Sequence, residues 1–173
     1  MNCEICDLIE GKTKAKKIYE DEDVIAFLNP KPATFGHSIV LPKKHLTIIL
    51  QIPDEIIKKM FFVSQQIASI IFEAVGAEGT NIMISEGVAA GQKHAHSIIH
   101  IIPRKKNDGL SLEWAQKHIP EDSMAKIHEL LKVPQETEVE SAPEKPKEKE
   151  SLKKADIKEG VKDYLLKHLR RIP

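Results

Sequence analysis

Residues 90–104, AGQKHAHSIIHIIPR, hold the side chains of this chain best suited to chemistry. His94, His96 and His100 fall at even positions, with Ile98 between the last two. Imidazole is nucleophilic when neutral near pH 7, exchanges protons there and binds metals. In an extended strand, side chains alternate faces. His94, His96, Ile98 and His100 would therefore share one face, and Ala95, Ser97, Ile99 and Ile101 the other. One such histidine reads most simply as a surface or packing residue. Three on one face, after Gly91-Gln92, point to a site. The second reactive group is Cys3-x-x-Cys6, the whole cysteine complement. That spacing supplies half of a tetrahedral zinc site. Its alternatives are a redox pair or two reduced thiols without metal. No βαβ pattern surrounds it, which argues against the redox motif.

These residues need a scaffold, and the chain predicts one of the α+β class. A short N-terminal helix is expected near 5–9. Strands are expected at 17–20 and 24–28, joined by the turn Asp21-Glu22-Asp23, and at 38–41, closed by Pro42. Pro53 and Asp54 open a long helix with an apolar stripe of Ile56, Met60, Val63, Ile67, Ile70 and Ala74, stopped at Gly76. Strands at 80–85 and 95–102 and a short helix at 123–132 complete the pattern. It reads as a five-stranded antiparallel sheet with one long helix on a face.

The organisation predicted is a domain at 1–118, a short helix within 119–133, a flexible charged linker at 134–154 and an amphipathic helix at 155–173. The linker segment has three prolines, many Glu and Lys and almost no apolar residues, so it buries too little to offset its chain entropy. From 155 on, Ile157, Val161, Tyr164, Leu165 and Leu169 recur at helical spacing. Residues 151–173 carry seven Lys or Arg against three acids. This segment reads as a docking helix or as a tail for another partner. The whole chain has 26 basic and 26 acidic residues, which disfavours nucleic acid or an anionic membrane as its main partner. No apolar run suffices for a membrane span, and the N-terminus lacks a secretory pattern, so a cytoplasmic protein is expected.

The histidine stretch resembles the signature of the histidine-triad (HIT) family, in which Gly-Gln, three residues and His-x-His-x-His are followed by two apolar residues on one strand. Further ordered matches run through residues 3–114. They include Cys3-x-x-Cys6, Tyr19-Glu20-Asp21-Glu22 before Val24–Leu28, and Gly36-His37 leading into Val40-Leu41-Pro42-Lys43-Lys44-His45. Asn81, Asp108-Gly109 and Trp114 follow. Aligned on Gly91-Gln92 and Pro103-Arg104, the triad reads His96, Ile98, His100. Moving it two residues, to His94, His96 and Ile98, breaks the spacing on both flanks.

The resemblance implies a HIT-like fold, a homodimer, a purine nucleotide or nucleotide conjugate as ligand, and catalysis through a nucleotidyl-histidine on the middle triad residue. Isoleucine has no lone pair, so Ile98 cannot take that role. The resemblance also implies structural zinc on Cys3, Cys6, His45 and His96. The nucleotide contacts it implies are Phe27, Leu28, Asn29, Asn81, Ser85, Gln92, Lys93, Ile98 and His100. Asn29 stands where an aspartate commonly binds ribose hydroxyls. His37, His118, His128 and His168 read as surface or packing residues. Three functions follow: a nucleotide-binding protein with impaired nucleotidyl-histidine chemistry, an active hydrolase or transferase using His100 or His94, or an interaction module with a vestigial pocket.

Overall fold

The computed structural model describes residues 3–132. The expected linker at 134–154 and helix at 155–173 lie outside the described residues. Residues 3–109 belong to one compact unit, and residues 110–132 to a second.

The first unit is an α+β layer arrangement. Helix α1 spans Glu4–Ile9, followed by β1 (Lys17–Glu20), β2 (Val24–Leu28), β3 (Ser38–Pro42), α2 (Asp54–Val75), β4 (Gly79–Met83) and β5 (Ile99–Arg104). The five strands form one antiparallel sheet in the order β1-β2-β3-β5-β4. Asp21 makes the β1–β2 turn by accepting the backbone N–H groups of Asp23 and Val24 at 2.8 and 2.7 Å. Asp54 and Glu55 occupy the first turn of α2, where carboxylates favour the helix dipole, and Gly76 ends it in the left-handed conformation.

Period-two alternation divides the core between the two sheet faces. Val24, Ala26, Val40, Ile99 and Ile101 pack with Met60, Val63 and Ile71 of α2. Ile25, Phe27, Ile39 and Leu41 form the other cluster with Ile5 and Leu8 of α1, and Ile98 packs against it. The buried stripe of α2 is shifted from the expected one. Ser64 and Ile71 are buried, whereas Ile70 is 62% exposed and Ala74 is exposed. Both neighbours are apolar, so composition alone left the stripe's phase open.

The histidine segment also departs from expectation. β5 begins at Ile99, and residues 94–98 leave the ladder. Its partner strand ends at Pro42, which has no N–H to donate. The Pro42 carbonyl accepts instead from His96 Nε2 at 2.9 Å, and the Ser97 N–H is donated to the Leu46 carbonyl at 2.7 Å. β4 likewise stops at Met83, opposite His100, short of the expected Ser85.

In the second unit, α3 (Glu121–Leu131) starts two residues before the expected Ser123, directly after Pro120 and with Glu121 and Asp122 in its first turn. Among the described residues, no helix is long and apolar enough to cross a membrane.

Gly36 sets the entry to β3. It has φ +87°, and a Cβ there would meet Val75 Cγ1 at 3.0 Å. Gly36→Ala should therefore cost about 1–2 kcal/mol from the left-handed backbone alone. The measurement is the urea midpoint; an unchanged midpoint would refute the constraint.

Candidate functional site

The even-numbered residues of the histidine segment, His94, His96, Ile98, His100 and Ile102, line one cleft of about 680 Å3. The alternation expected of a strand thus persists after the ladder stops. β4 contributes Met83, the loop after it Ser85, and the following turn Gln92 and Lys93. The loop before β3 contributes Asn29, Pro30 and Lys31, and α1 contributes Glu4, Ile5, Asp7 and Leu8.

Of the expected nucleotide contacts, Asn29, Ser85, Gln92, Lys93, Ile98 and His100 line this cleft. Phe27, Leu28 and Asn81 are not among the lining residues. Phe27 is buried in the α1-side core, and Leu28 ends β2 with 40% exposure. Asn81 lies two pairs further along β4 than Met83, opposite Ile102, and its side-chain oxygen accepts from Arg104 Nη1 at 2.6 Å. Gln92 lines the cleft with its amide already engaged. Its nitrogen donates to the Thr47 and His94 carbonyls at 2.9 and 3.0 Å, and its oxygen accepts from the Gly87 N–H at 2.7 Å. It therefore holds the loop that carries Lys93 and His94.

His37, read from the sequence as a packing residue, also lines the cleft. It is 5% exposed and lies 3.1 Å from His100, Nε2 to Nδ1. Its own Nδ1 accepts the Ala33 N–H at 2.9 Å. That bond assigns both tautomers. His37 carries its proton on Nε2 and donates it to His100 Nδ1, so neutral His100 carries its proton on Nε2. Asn29 packs beside the ring, with Nδ2 3.3 Å from His37 Nε2. Burial, with a smaller contribution from His100, pushes the His37 imidazole down to about 4. Burial also pushes His100 below the ordinary histidine value, reinforced by His94 and Lys93. Both rings are neutral at pH 7, and His100 is left with an N–H donor, a good match for a phosphate oxygen. The signal for His37 in the sequence was its place directly after Gly36; its contact with a residue 63 positions away was not readable there.

On the same side of the sheet, Cys3, Cys6, His45 and His96 come together, their ligating atoms all within 4.8 Å of one another. His96 Nδ1 lies 3.9 Å from Cys3 Sγ and 3.8 Å from Cys6 Sγ, and His45 Nδ1 lies 3.2 Å from Cys6 Sγ. Bond lengths of about 2.0–2.3 Å in a tetrahedral zinc site place ligand atoms roughly 3.3–3.8 Å apart. The donor set and spacing therefore fit zinc. His96 is prepared for it, since donation from Nε2 to the Pro42 carbonyl leaves the Nδ1 lone pair facing the thiols. Burial and the neighbouring Cys3 push the Cys6 thiol up, which a cation between them would reverse. His94 stands apart from this cluster, with Nδ1 3.7 Å from a Glu4 carboxylate oxygen.

The family model of the HIT domain matches residues 10–107. The chain is 38% identical over 125 residues to "Protein hit" of Bacillus subtilis, covering 70% of this chain and 86% of that protein. It is 33% identical over 123 residues to the adenylylsulfatase HINT3 of Arabidopsis thaliana, covering 71% of this chain and 61% of that protein. A crystal structure of a zinc-bound histidine triad family protein from Mycobacterium smegmatis superposes with TM-score 0.60 at 36% identity, covering 68% of this chain and 85% of that one.

The buried imidazoles predict a direction for pH dependence. His37 takes up a proton at about 6.5 when unfolded and only at about 4 when folded. Between those values the unfolded state binds more protons, so stability is level above pH 6.5 and falls as pH drops toward 4. His37→Asn should flatten that fall, shown by Tm measured across the window in both proteins. Parallel curves would refute the assignment.

Proposed function

Because this chain belongs to the HIT domain family, we propose that it is a purine nucleotide-binding protein in which the route through a nucleotidyl-histidine is closed. The observation that carries this reading is Ile98, which lines the cleft between His96 and His100. In the alignment on Gly91-Gln92 it holds the position that the family uses for its nucleophile. An aliphatic side chain there cannot attack phosphorus or leave from it.

The remaining groups support binding. His100, fixed as an Nε2–H donor by His37, is suited to a phosphate oxygen. Lys93 adds a positive charge to the same wall. Asn29 can offer ribose hydroxyls an amide, though without the charge of the usual aspartate. Cys3, Cys6, His45 and His96 would hold zinc as a closed set of four. The metal would then act as a structural clamp with no open position for substrate. A homodimer is part of the same reading.

A second reading has one observation in its favour. His94 faces a carboxylate, Glu4, that could orient it as a general base for direct attack by water on a bound phosphate. It differs from the first reading in requiring turnover without a covalent intermediate.

Two tests follow. Intact mass after incubation with an AMP conjugate should show no adduct on the wild type, and Ile98→His should gain one. AMP at about 100 times its Kd should stabilise the wild type by about 2.7 kcal/mol. A nucleotidyl adduct on a wild-type histidine, or no stabilisation at millimolar AMP, would overturn the proposal. For the metal, elemental analysis should find one zinc per chain, lost in Cys6→Ser; a full complement of zinc in that variant would exclude the four-ligand set.

A further inference from the structure

The thiols and the cleft share one element. Helix α1 has Cys3 as its N-cap and Cys6 in its first turn, and the residues between and after them, Glu4, Ile5, Asp7 and Leu8, line the cleft. On the other side of the cluster, His96 is both a thiol neighbour and a lining residue, set between His94 and Ile98. The cluster therefore meets the cleft twice, through α1 and through His96.

Helix α1 has little else to hold it. It is six residues long, and the side chain of its N-cap makes no capping hydrogen bond to the helix. An isolated helix of that length does not persist in water. Two buried side chains, Ile5 and Leu8, anchor it in the α1-side core. The approach of Cys3 and Cys6 to His45 and His96 fixes its N-terminal end. Without a cation, that end rests on two thiols facing two imidazoles.

From this shared wall we infer that the metal cluster is a positioning device for the ligand site: cleft affinity depends on metal occupancy, and Cys3, Cys6 and His45 act on the ligand through α1 and His96 without touching it. The inference rests on the reading of the cleft as a nucleotide site. Coupling between two sites is reciprocal. Whatever factor the metal contributes to nucleotide affinity, the nucleotide must contribute to metal affinity.

The test uses the full-length protein, zinc and AMP. Calorimetry gives the Kd for AMP with zinc loaded and after chelation. Competition with a chromophoric chelator gives the Kd for zinc with and without saturating AMP. Removing zinc should weaken AMP binding by roughly fivefold or more, the lower end of ordinary site coupling, and AMP should tighten zinc binding by the same factor. Equal AMP affinity with and without zinc would overturn the inference and leave the nucleotide reading standing. Loss of AMP binding on chelation together with loss of the folded circular-dichroism signal would also overturn it, since the metal would then hold the fold and not position the cleft. Absence of AMP binding to the zinc-loaded protein would overturn both readings.

Discussion

Residues 94–102 serve two environments with one run of chain. Ile99 and Ile101 enter the core against α2, while His94, His96, Ile98, His100 and Ile102 face the cleft. A slip of one residue would exchange the two sets, placing imidazoles in the apolar core and isoleucines in the cleft. The pairings of Ile99 with Val40, His100 with Ile39 and Ile101 with Ser38 prevent that slip. On the other edge, His100 pairs with Met83. The cleft, the thiol cluster and the seat of α2 all depend on this register.

Burying imidazoles on that face has a second consequence. A histidine ring away from water is neutral, and one of its nitrogens must be given a partner. Here the backbone makes the choice. The Ala33 N–H takes the Nδ1 lone pair of His37, which sends the proton through Nε2 to His100. The Pro42 carbonyl takes the Nε2–H of His96, which turns its Nδ1 toward the thiols. In both cases a main-chain group spends one nitrogen and thereby specifies what the other can do. His100 becomes a donor to the cleft and His96 a lone pair for a cation. The same sequence of residues with different backbone partners would have the opposite chemistry.

The sequence makes legible what depends on local pattern. The order of elements, the turn at Asp21, the stop of α2 at Gly76 and the shared face of the even-numbered histidines all follow from periodicity and turn chemistry. What it hides depends on long-range contact. The phase of α2 between Ile70 and Ile71 is decided by the sheet it packs on, since both residues are equally apolar. The start of β5 at Ile99, opposite Val40, is set by its pairing with β3 and not by its own pattern, which continues to His94. His37 gains its role from His100, and Asn81 is engaged by Arg104; neither partner is near in sequence. The contribution of α1 to the cleft is of the same kind, because Cys3-x-x-Cys6 announces ligands but says nothing of what Glu4 and Asp7 will face.

Ile98 takes on a different meaning in this setting. Beyond lining the cleft, it packs against the cluster formed by Ile5, Leu8, Ile25, Phe27, Ile39 and Leu41. Cys3 packs against the same cluster. An apolar side chain at position 98 therefore joins the cleft lining to the core that seats α1. An imidazole there would have to be desolvated beside two rings already held neutral by burial, His96 and His100. It would also carry a polar edge into contacts that isoleucine satisfies with methyl groups. Cleft lining and apolar packing thus fall on one residue. Under the proposed reading, position 98 supports the wall of the cleft and takes no part in its chemistry.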